Sequence, residues 1–172
     1  MGVIIRLLKD VKIVHLLDIV MGQDHPNFGP ITKSSFEIRE GSSVEGMRYI
    51  AYNSYAKCRI GGNCMISFDV TLRNSDAHPI LDCKTGQVQN WVRGITIGDH
   101  CWLGEKASVL KNSVIPDHCI VGDNAVVSGE LKESYAAYAG NPARLVKTGI
   151  NWDSNGAKCG FIANEGAKDF RK

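Results

Sequence analysis

The sequence predicts a mainly β fold, a parallel β-helix wound from six-residue strands, on three observations. Aliphatic residues recur every six positions between residues 97 and 131, the same period appears less regularly at 38–72, and residues 73–94 interrupt it. A fixed short period is typical of solenoids, in which each repeat packs only on its neighbours. With 172 residues, of which 44% are apolar, the chain suits a single domain.

The clearest repeat starts at Ile97. Stepping by six gives only aliphatic side chains: Ile97, Leu103, Val109, Ile115, Val121 and Val127. The slot four residues later is small in five of six repeats: Cys101, Ala107, Ser113, Cys119, Ala125 and Leu131. Three such strands make an 18-residue triangular coil, and coils stack about 4.8 Å apart. We expect the aliphatic slot to fill the interior and the small slot to turn inward near a corner.

Upstream, the period splits into two series that are out of step with each other. One series is Ile60, Ile66 and Leu72, and the other is Ile38, Val44, Ile50 and Ala56. The offset of two residues between them predicts a register slip near residues 56–60.

The two ends of the chain lack the period. Apolar residues at helical spacing predict an amphipathic helix near the N-terminus: Ile4, Leu7, Leu8, Val11 and Val14. We expect this helix to cap the solenoid, with a membrane-surface role as the alternative. The predicted domain spans 1–152, with the cap at 1–35, coils at 36–132 and a short C-terminal helix at 133–152. A tail follows at 153–172.

Composition argues against several classes of protein. The net charge is +2 and no basic block stands out, which disfavours nucleic-acid binding. The longest apolar stretch, 13–21, falls short of the roughly 20 residues that a bilayer requires, and no signal peptide is predicted. Cys101 and Cys119 lie 18 residues apart in small slots, so we expect reduced thiols in the core of a cytoplasmic protein.

The interruption at 73–94 is the predicted site of chemistry. A segment of about 22 residues leaves the regular coils there, and long insertions of this kind are usually functional. It contains His78 between Asp76 and Asp82. An imidazole near carboxylates is suited to act as a general base.

Three segments together resemble the hexapeptide-repeat acetyltransferases: Ser75-Asp76-Ala77-His78-Pro79-Ile80, Ile97-Gly98-Asp99-His100-Cys101-Trp102-Leu103-Gly104 and Ala139-Gly140-Asn141-Pro142-Ala143-Arg144. Within that family the sequence is most similar to the O-acetyltransferases of capsule, O-antigen and sialic acid polymers. The resemblance covers residues 36–152. It implies a left-handed β-helix, acetyl-CoA as co-substrate, a homotrimer with active sites between subunits, and a sugar or polysaccharide acceptor.

The resemblance also implies roles for individual residues. His78 would remove the proton from the acceptor hydroxyl, and Trp102 would lie beside the thioester. From their positions near His78, and not from the resemblance, Asp76 and Asp82 are candidates to orient its imidazole. A groove between subunits would bind CoA through Trp102 and seven further residues: Gly104, Ala107, Lys111, Ala125, Pro142, Arg144 and Lys147. A backbone carbonyl is the alternative partner for the imidazole.

Trp91 and Arg93 end the interruption and are candidates to contact the acceptor, as is Asp82. His100 and His118 lie one coil apart and should stack on one face, but they lack the close spacing of a zinc site, so no metal is predicted. Two alternatives to sugar acetylation remain open. One is acetylation of serine or another small molecule, and the other is a non-catalytic β-helix scaffold.

Overall fold

A computed structural model describes residues 3–22 and 31–155. Every helix or strand assigned in these residues is a β-strand. The strands are β1 (Ile4–Leu7), β2 (Lys12–Met21), β3 (Ser35–Ile38), β4 (Ser43–Ala51), β5 (Lys57–Ile60), β6 (Met65–Ile66), β7 (Val70–Arg73), β8 (Ile95–Ile97), β9 (Trp102–Leu103), β10 (Ser108–Leu110), β11 (Val114–Ile115), β12 (Cys119–Val121), β13 (Val126–Val127), β14 (Ala136–Ala139) and β15 (Arg144–Thr148). Nothing in the described residues forms a helix able to cross a bilayer.

The strands stack as ladders on the three faces of a prism. The first face carries β1, β3, β5, β8 and β11. The second carries the start of β4 with β6, β9, β12 and β14, and the third carries the end of β4 with β7, β10 and β13. Ile97 pairs in parallel with Ile115, 18 residues later, which confirms the predicted coil.

The interior slots are filled as the period predicts. The six aliphatic residues of the series that starts at Ile97 are all buried. The small slots are buried as well, and Cys101 and Cys119 are free thiols in the core. Burial of a side chain of this size contributes about 1.5–3 kcal/mol, so the repeated slots supply much of the stability of the coil.

The upstream coil is longer, in agreement with the predicted register slip. Ile38 pairs with Ile60, 22 residues later. The six-step series places Ile50 in the aliphatic slot, and this assignment is wrong. Tyr49 is fully buried there and Ile50 is only half-buried, because the corner at Gly46 contains one residue fewer than the corresponding corner of the next coil.

The prediction of an N-terminal helix is wrong. This segment forms β1 and β2, which pair in parallel with β3 and β4. Strands form here in place of a helix because the edge of the first coil would otherwise leave its backbone N–H and C=O groups unpaired. The apolar spacing does not mark a buried stripe, since Ile4, Leu7, Leu8 and Val14 are all exposed.

The prediction of a C-terminal helix within 133–152 is also wrong. β14 extends the second face by pairing with β12, and β15 then returns antiparallel to β14. The turn between them contains Gly140, with a φ of 93°, and Pro142. Proline lacks the N–H that a helix requires and glycine accepts the left-handed conformation, so the chain reverses here. Of the predicted tail, residues 156–172 lie outside the described residues.

Candidate active site

The interruption of the coils contains a β-hairpin, not only irregular loop. Residues 80–89, here called the finger, form two antiparallel arms bridged by Leu81 and Val88. At the tip, the Asp82 carboxylate accepts hydrogen bonds from the N–H (2.7 Å) and the hydroxyl (3.0 Å) of Thr85. These hydrogen bonds from Thr85 lower the pKa of Asp82. Asp82 therefore stabilises the turn of the finger.

His78 lies at the base of the finger, in a segment held by polar side chains. The hydroxyl of the buried Ser75 donates to Oδ1 of Asn53 and accepts the N–H of Ala77 at 3.0 Å. Ala77 has a φ of 65°, which is unfavourable for a residue with a Cβ. The hydrogen bond from its N–H stabilises this conformation and fixes the backbone that leads into His78.

His78 lines an open cavity of about 250 Å³, here called the His78 cavity. Asp76 and Trp91 line the same cavity, so the structure brings three of the predicted site residues together. The Trp91 side chain is 70% exposed. An exposed indole beside an imidazole is suited to contact the apolar face of a sugar ring. Asp82 does not line this cavity.

Asp76 does not orient the imidazole directly in this structure. Its Oδ2 accepts a hydrogen bond from Nδ2 of Asn90 at 2.7 Å and lies 3.2 Å from Nζ of Lys111. The side chain of Lys111 is only 16% exposed. The carboxylate therefore connects the base of the finger to the coil that carries Lys111. The ion pair also places the Lys111 ammonium beside Asp76, on the finger side of the prism.

Trp102 occupies an outward slot at the start of β9, as predicted. Its Nε1–H donates to the Ser67 hydroxyl at 3.2 Å. The ring of Trp152 lies 6.2 Å from it by centroid distance. Trp152 itself stacks on His100 at 4.5 Å and donates its Nε1–H to the His100 carbonyl at 2.8 Å. Sequence reasoning missed Trp152, because 50 residues separate it from Trp102 and no repeat connects the two.

The predicted stacking of His100 and His118 is confirmed. Their ring centroids are 5.2 Å apart, and His118 stacks in turn on Tyr135 at 4.3 Å. Both histidines have positive φ angles at successive corners of the coil. Among the described residues, no group of three or more histidine, cysteine and acidic side chains is placed to hold a metal ion.

Trp102 and Lys147 lie in one outward row across the second face. Trp102 pairs with Ile120, Ile120 with Ala137, and Ala137 with Lys147. Three strand spacings separate the ends of this row, roughly 14 Å. A register shift between Ala137 and Tyr138 brings Arg144 opposite Ala139. Because both alanines lie on the outward side of β14, the two basic side chains share one face.

Three of the other predicted CoA residues are not exposed. Gly104, Ala107 and Ala125 are buried in the coil. The small slot explains this for the two alanines, since their side chains turn inward at corners. The structure therefore does not bring these three residues to the outward row. Pro142 is exposed in the turn before β15.

Arg93 lies outside the His78 cavity. It lines a second open cavity on the first face, together with Lys57 and Arg59. The backbone around it is fixed by Asn112, which accepts the N–H of Arg93 at 2.6 Å and donates to the Trp91 carbonyl at 2.9 Å. A basic surface thus adjoins the segment that carries Trp91.

His78 and Trp102 do not meet within one chain. The interruption leaves the third face after β7 and returns to the first face at β8, whereas Trp102 begins β9 on the second face. The width of the first face separates the two residues.

Two curated proteins are similar in sequence. A polysialic acid O-acetyltransferase of Escherichia coli O1:K1 / APEC is 40% identical over 121 residues, which are 70% of this chain and 39% of that protein. A polysialic acid O-acetyltransferase of Neisseria meningitidis is 38% identical over 113 residues, which are 66% of this chain and 53% of that protein. The chain thus spans about half or less of the length of these relatives. No established family profile matches it.

Solved structures share the fold. The polysialic acid O-acetyltransferase OatWY superposes with a TM-score of 0.67 at 27% identity, over 88% of this chain and 71% of that one. The polySia-specific acetyltransferase NeuO gives a TM-score of 0.61 at 21% identity, over 90% and 89%. A galactoside acetyltransferase in complex with coenzyme A gives 0.54 at 15% identity, over 86% and 74%.

The coil of 18 residues, built from three six-residue strands, and the similarity to solved acetyltransferases both indicate a hexapeptide-repeat fold. In sequence and in fold, the chain is similar to the hexapeptide-repeat acetyltransferases, which are built on the left-handed parallel β-helix.

Proposed function

We propose that this chain is an O-acetyltransferase that moves an acetyl group from acetyl-CoA to a hydroxyl of a sugar or polysaccharide. One observation carries the proposal: His78 and the exposed ring of Trp91 line one open cavity at the base of the finger. The relatives that match at 40% and 38% identity are polysialic acid O-acetyltransferases, which supports a polymeric sugar as acceptor.

The proposed reaction is a direct transfer. The unprotonated nitrogen of His78 takes the proton from the acceptor hydroxyl as its oxygen attacks the thioester carbonyl. The bond between carbonyl carbon and sulfur then breaks, and the CoA thiolate leaves. Thiols have an ordinary pKa near 8.5, so this group departs readily and recovers the proton from the imidazolium. No acetyl-enzyme forms.

Acetyl-CoA is proposed to bind along the second face. The Trp102 indole would pack against the pantetheine arm near the thioester, because its N–H is already bonded to Ser67. Lys147 and Arg144, at the far end of the row and exposed, would contact the phosphates. Pro142 would border the same end, since it forms the turn before β15.

Assembly is part of the proposal. Since the first face separates His78 from Trp102 in one chain, we propose a homotrimer in which the finger of one subunit reaches the second face of the next. Each trimer would hold three equivalent sites. Native mass spectrometry tests this directly, with three chains per particle as the expected mass.

The acceptor is proposed to carry negative charge. Lys57, Arg59 and Arg93 line the open cavity that adjoins the Trp91 segment, and among the described residues of its lining Glu37 is the one acid. Opposite charge favours the encounter of such a surface with an acidic polymer. The described cysteines are free thiols and acetyl-CoA is an intracellular metabolite, so we place the reaction in the cytoplasm.

The experiment is a measurement of acetyl-CoA consumption over a panel of acidic polysaccharides, neutral oligosaccharides, free sugars and serine. The expected result is turnover with an acidic polymer and a fall of about 10³-fold in kcat/KM for His78→Ala. Turnover with serine alone, or equal turnover by the His78→Ala variant, would contradict the proposal. Absence of turnover across the panel by a folded trimer would favour the scaffold alternative.

A further inference from the structure

Asn90 closes the base of the finger with a single side-chain amide. Its Oδ1 accepts the N–H of Ile80 at 2.8 Å, and its Nδ2 donates to the His78 carbonyl at 2.9 Å and to Asp76 Oδ2 at 2.7 Å. Both amide hydrogens are thus used. The amide thus connects His78 and Ile80, the residues before and after Pro79.

Backbone pairing alone would not hold this part of the chain. The two arms of the finger pair as far as the hydrogen bond from the Gln89 N–H to the Ile80 carbonyl (2.8 Å). Pro79 has no N–H to donate to the opposite arm. The Asn90 side chain takes the place of the next backbone pair, since it accepts from Ile80 and donates to His78.

Asp76 and Lys111 extend this contact to the prism. The Asp76 carboxylate receives the second amide hydrogen of Asn90 and pairs with Lys111, which follows β10 in the coil. A largely buried lysine on a rigid coil is a firm anchor for a loop residue. The path from coil to catalytic residue is therefore Lys111, Asp76, Asn90 and the His78 backbone.

We infer, on the basis of the function proposed above, that Asn90 is the positioning residue of His78. Asp76 then acts on His78 through the Asn90 amide and not by contact with the imidazole. Fixing the carbonyl of His78 fixes the direction in which its side chain leaves the backbone. Displacement of a catalytic group by about 1 Å costs on the order of 10²-fold in rate.

The test is the substitution Asn90→Asp, which keeps the size of the side chain and removes both N–H donors. It also places a second carboxylate beside Asp76. We expect kcat to fall by about 10²-fold, with the KM for acetyl-CoA unchanged because the proposed CoA row lies on another face. Gln87→Ala is the matched control in the same finger, since the hydrogen bonds of Gln87 within the described residues use backbone atoms.

A double variant separates positioning from general damage. In the His78→Ala background, Asn90→Asp should cause no further loss of kcat, because the residue it positions is gone. An additional loss of the same size as in wild type would overturn the inference, as would unchanged kcat in the single variant. Thermal melting of each variant identifies unfolding, and Asn90→Ala provides a second substitution without the added charge.

Failure of the inference differs from failure of the proposed function. If His78→Ala retains full activity, the general-base assignment is wrong whatever Asn90 does. If His78→Ala is inactive while Asn90→Asp retains wild-type kcat, only the positioning role is wrong.

Discussion

The indole of Trp152 stacks on the imidazole of His100 at 4.5 Å, although 52 residues separate them in the chain. The segment after β15, residues 149–155 and here called the C-terminal arm, thereby returns to the corner that precedes Trp102. A neighbouring hydrogen bond, from the Ile150 N–H to the Tyr135 carbonyl at 3.0 Å, fixes its direction. The C-terminal arm thus borders the proposed acetyl-CoA site.

Removal of this stacking should loosen the arm. We expect Trp152→Ala to lower the free energy of unfolding by about 2 kcal/mol, from the lost ring contact and one lost hydrogen bond. Thermal melting and denaturant titration measure it. Trp91→Ala is the control for stability, because that ring is 70% exposed and should change the melting temperature little. Equal destabilisation by the two variants would contradict the docked position of Trp152.

The position of Lys147 in the row that starts at Trp102 predicts that its substitution weakens acetyl-CoA binding and leaves the chemical step unchanged. We expect Lys147→Ala to raise the KM for acetyl-CoA roughly tenfold with little change in kcat, since one hydrogen bond to a charged phosphate is lost. Steady-state kinetics at low and high salt test this, because a phosphate contact weakens with salt. Lys132→Ala is the matched control, as that lysine is exposed and pairs with Glu130. A fall in kcat alone would place Lys147 elsewhere.

Gly98, the residue after the aliphatic slot of Ile97, is required because the next coil approaches it closely. A Cβ added at Gly98 would lie 2.6 Å from the backbone nitrogen of Asp117. We expect Gly98→Ala to destabilise the chain by about 1–3 kcal/mol through overpacking. Gly46→Ala is the control, since the nearest atom there is at 3.5 Å and the change should stay within about 0.5 kcal/mol. Calorimetry of both variants decides the comparison, and equal melting temperatures would argue against this packing.

Thiol reactivity should follow burial. Burial raises the pKa of Cys119 to about 11 and also raises that of Cys58, so both remain protonated at pH 8. Cys83 is exposed at the tip of the finger. We expect iodoacetamide at pH 8 to label Cys83 first among the described cysteines, as read by peptide mapping. Rapid labelling of Cys119 in folded protein would contradict its place in the core.

The regular coils were predictable because each slot repeats a single local rule. A side chain six residues on meets the same corner or the same interior, so the buried column from Ile97 to Val127 follows from counting. The ends were not predictable in this way. The apolar spacing of Ile4, Leu7 and Leu8 fits an amphipathic helix. The segment forms a strand instead because it pairs with the otherwise unpaired edge of the next coil.

The site was predictable in its position and only partly in its contacts. His78, Asp76 and Trp91 all belong to the interruption, and the structure places them around one cavity. Asn90 and Trp152 were missed because their roles depend on which distant segments return to them. A side-chain amide that completes a hairpin leaves no signal in composition or spacing.

Complementation between subunits tests the central claim most directly. His78→Ala and Trp102→Ala chains carrying different tags would be co-expressed, and hybrid particles purified by both tags in turn. Because a proposed site combines His78 of one chain with Trp102 of the next, each variant alone should be inactive and the hybrids should regain acetyl transfer from acetyl-CoA. Hybrids that contain both chains and remain as inactive as their parents would contradict an active site shared between copies.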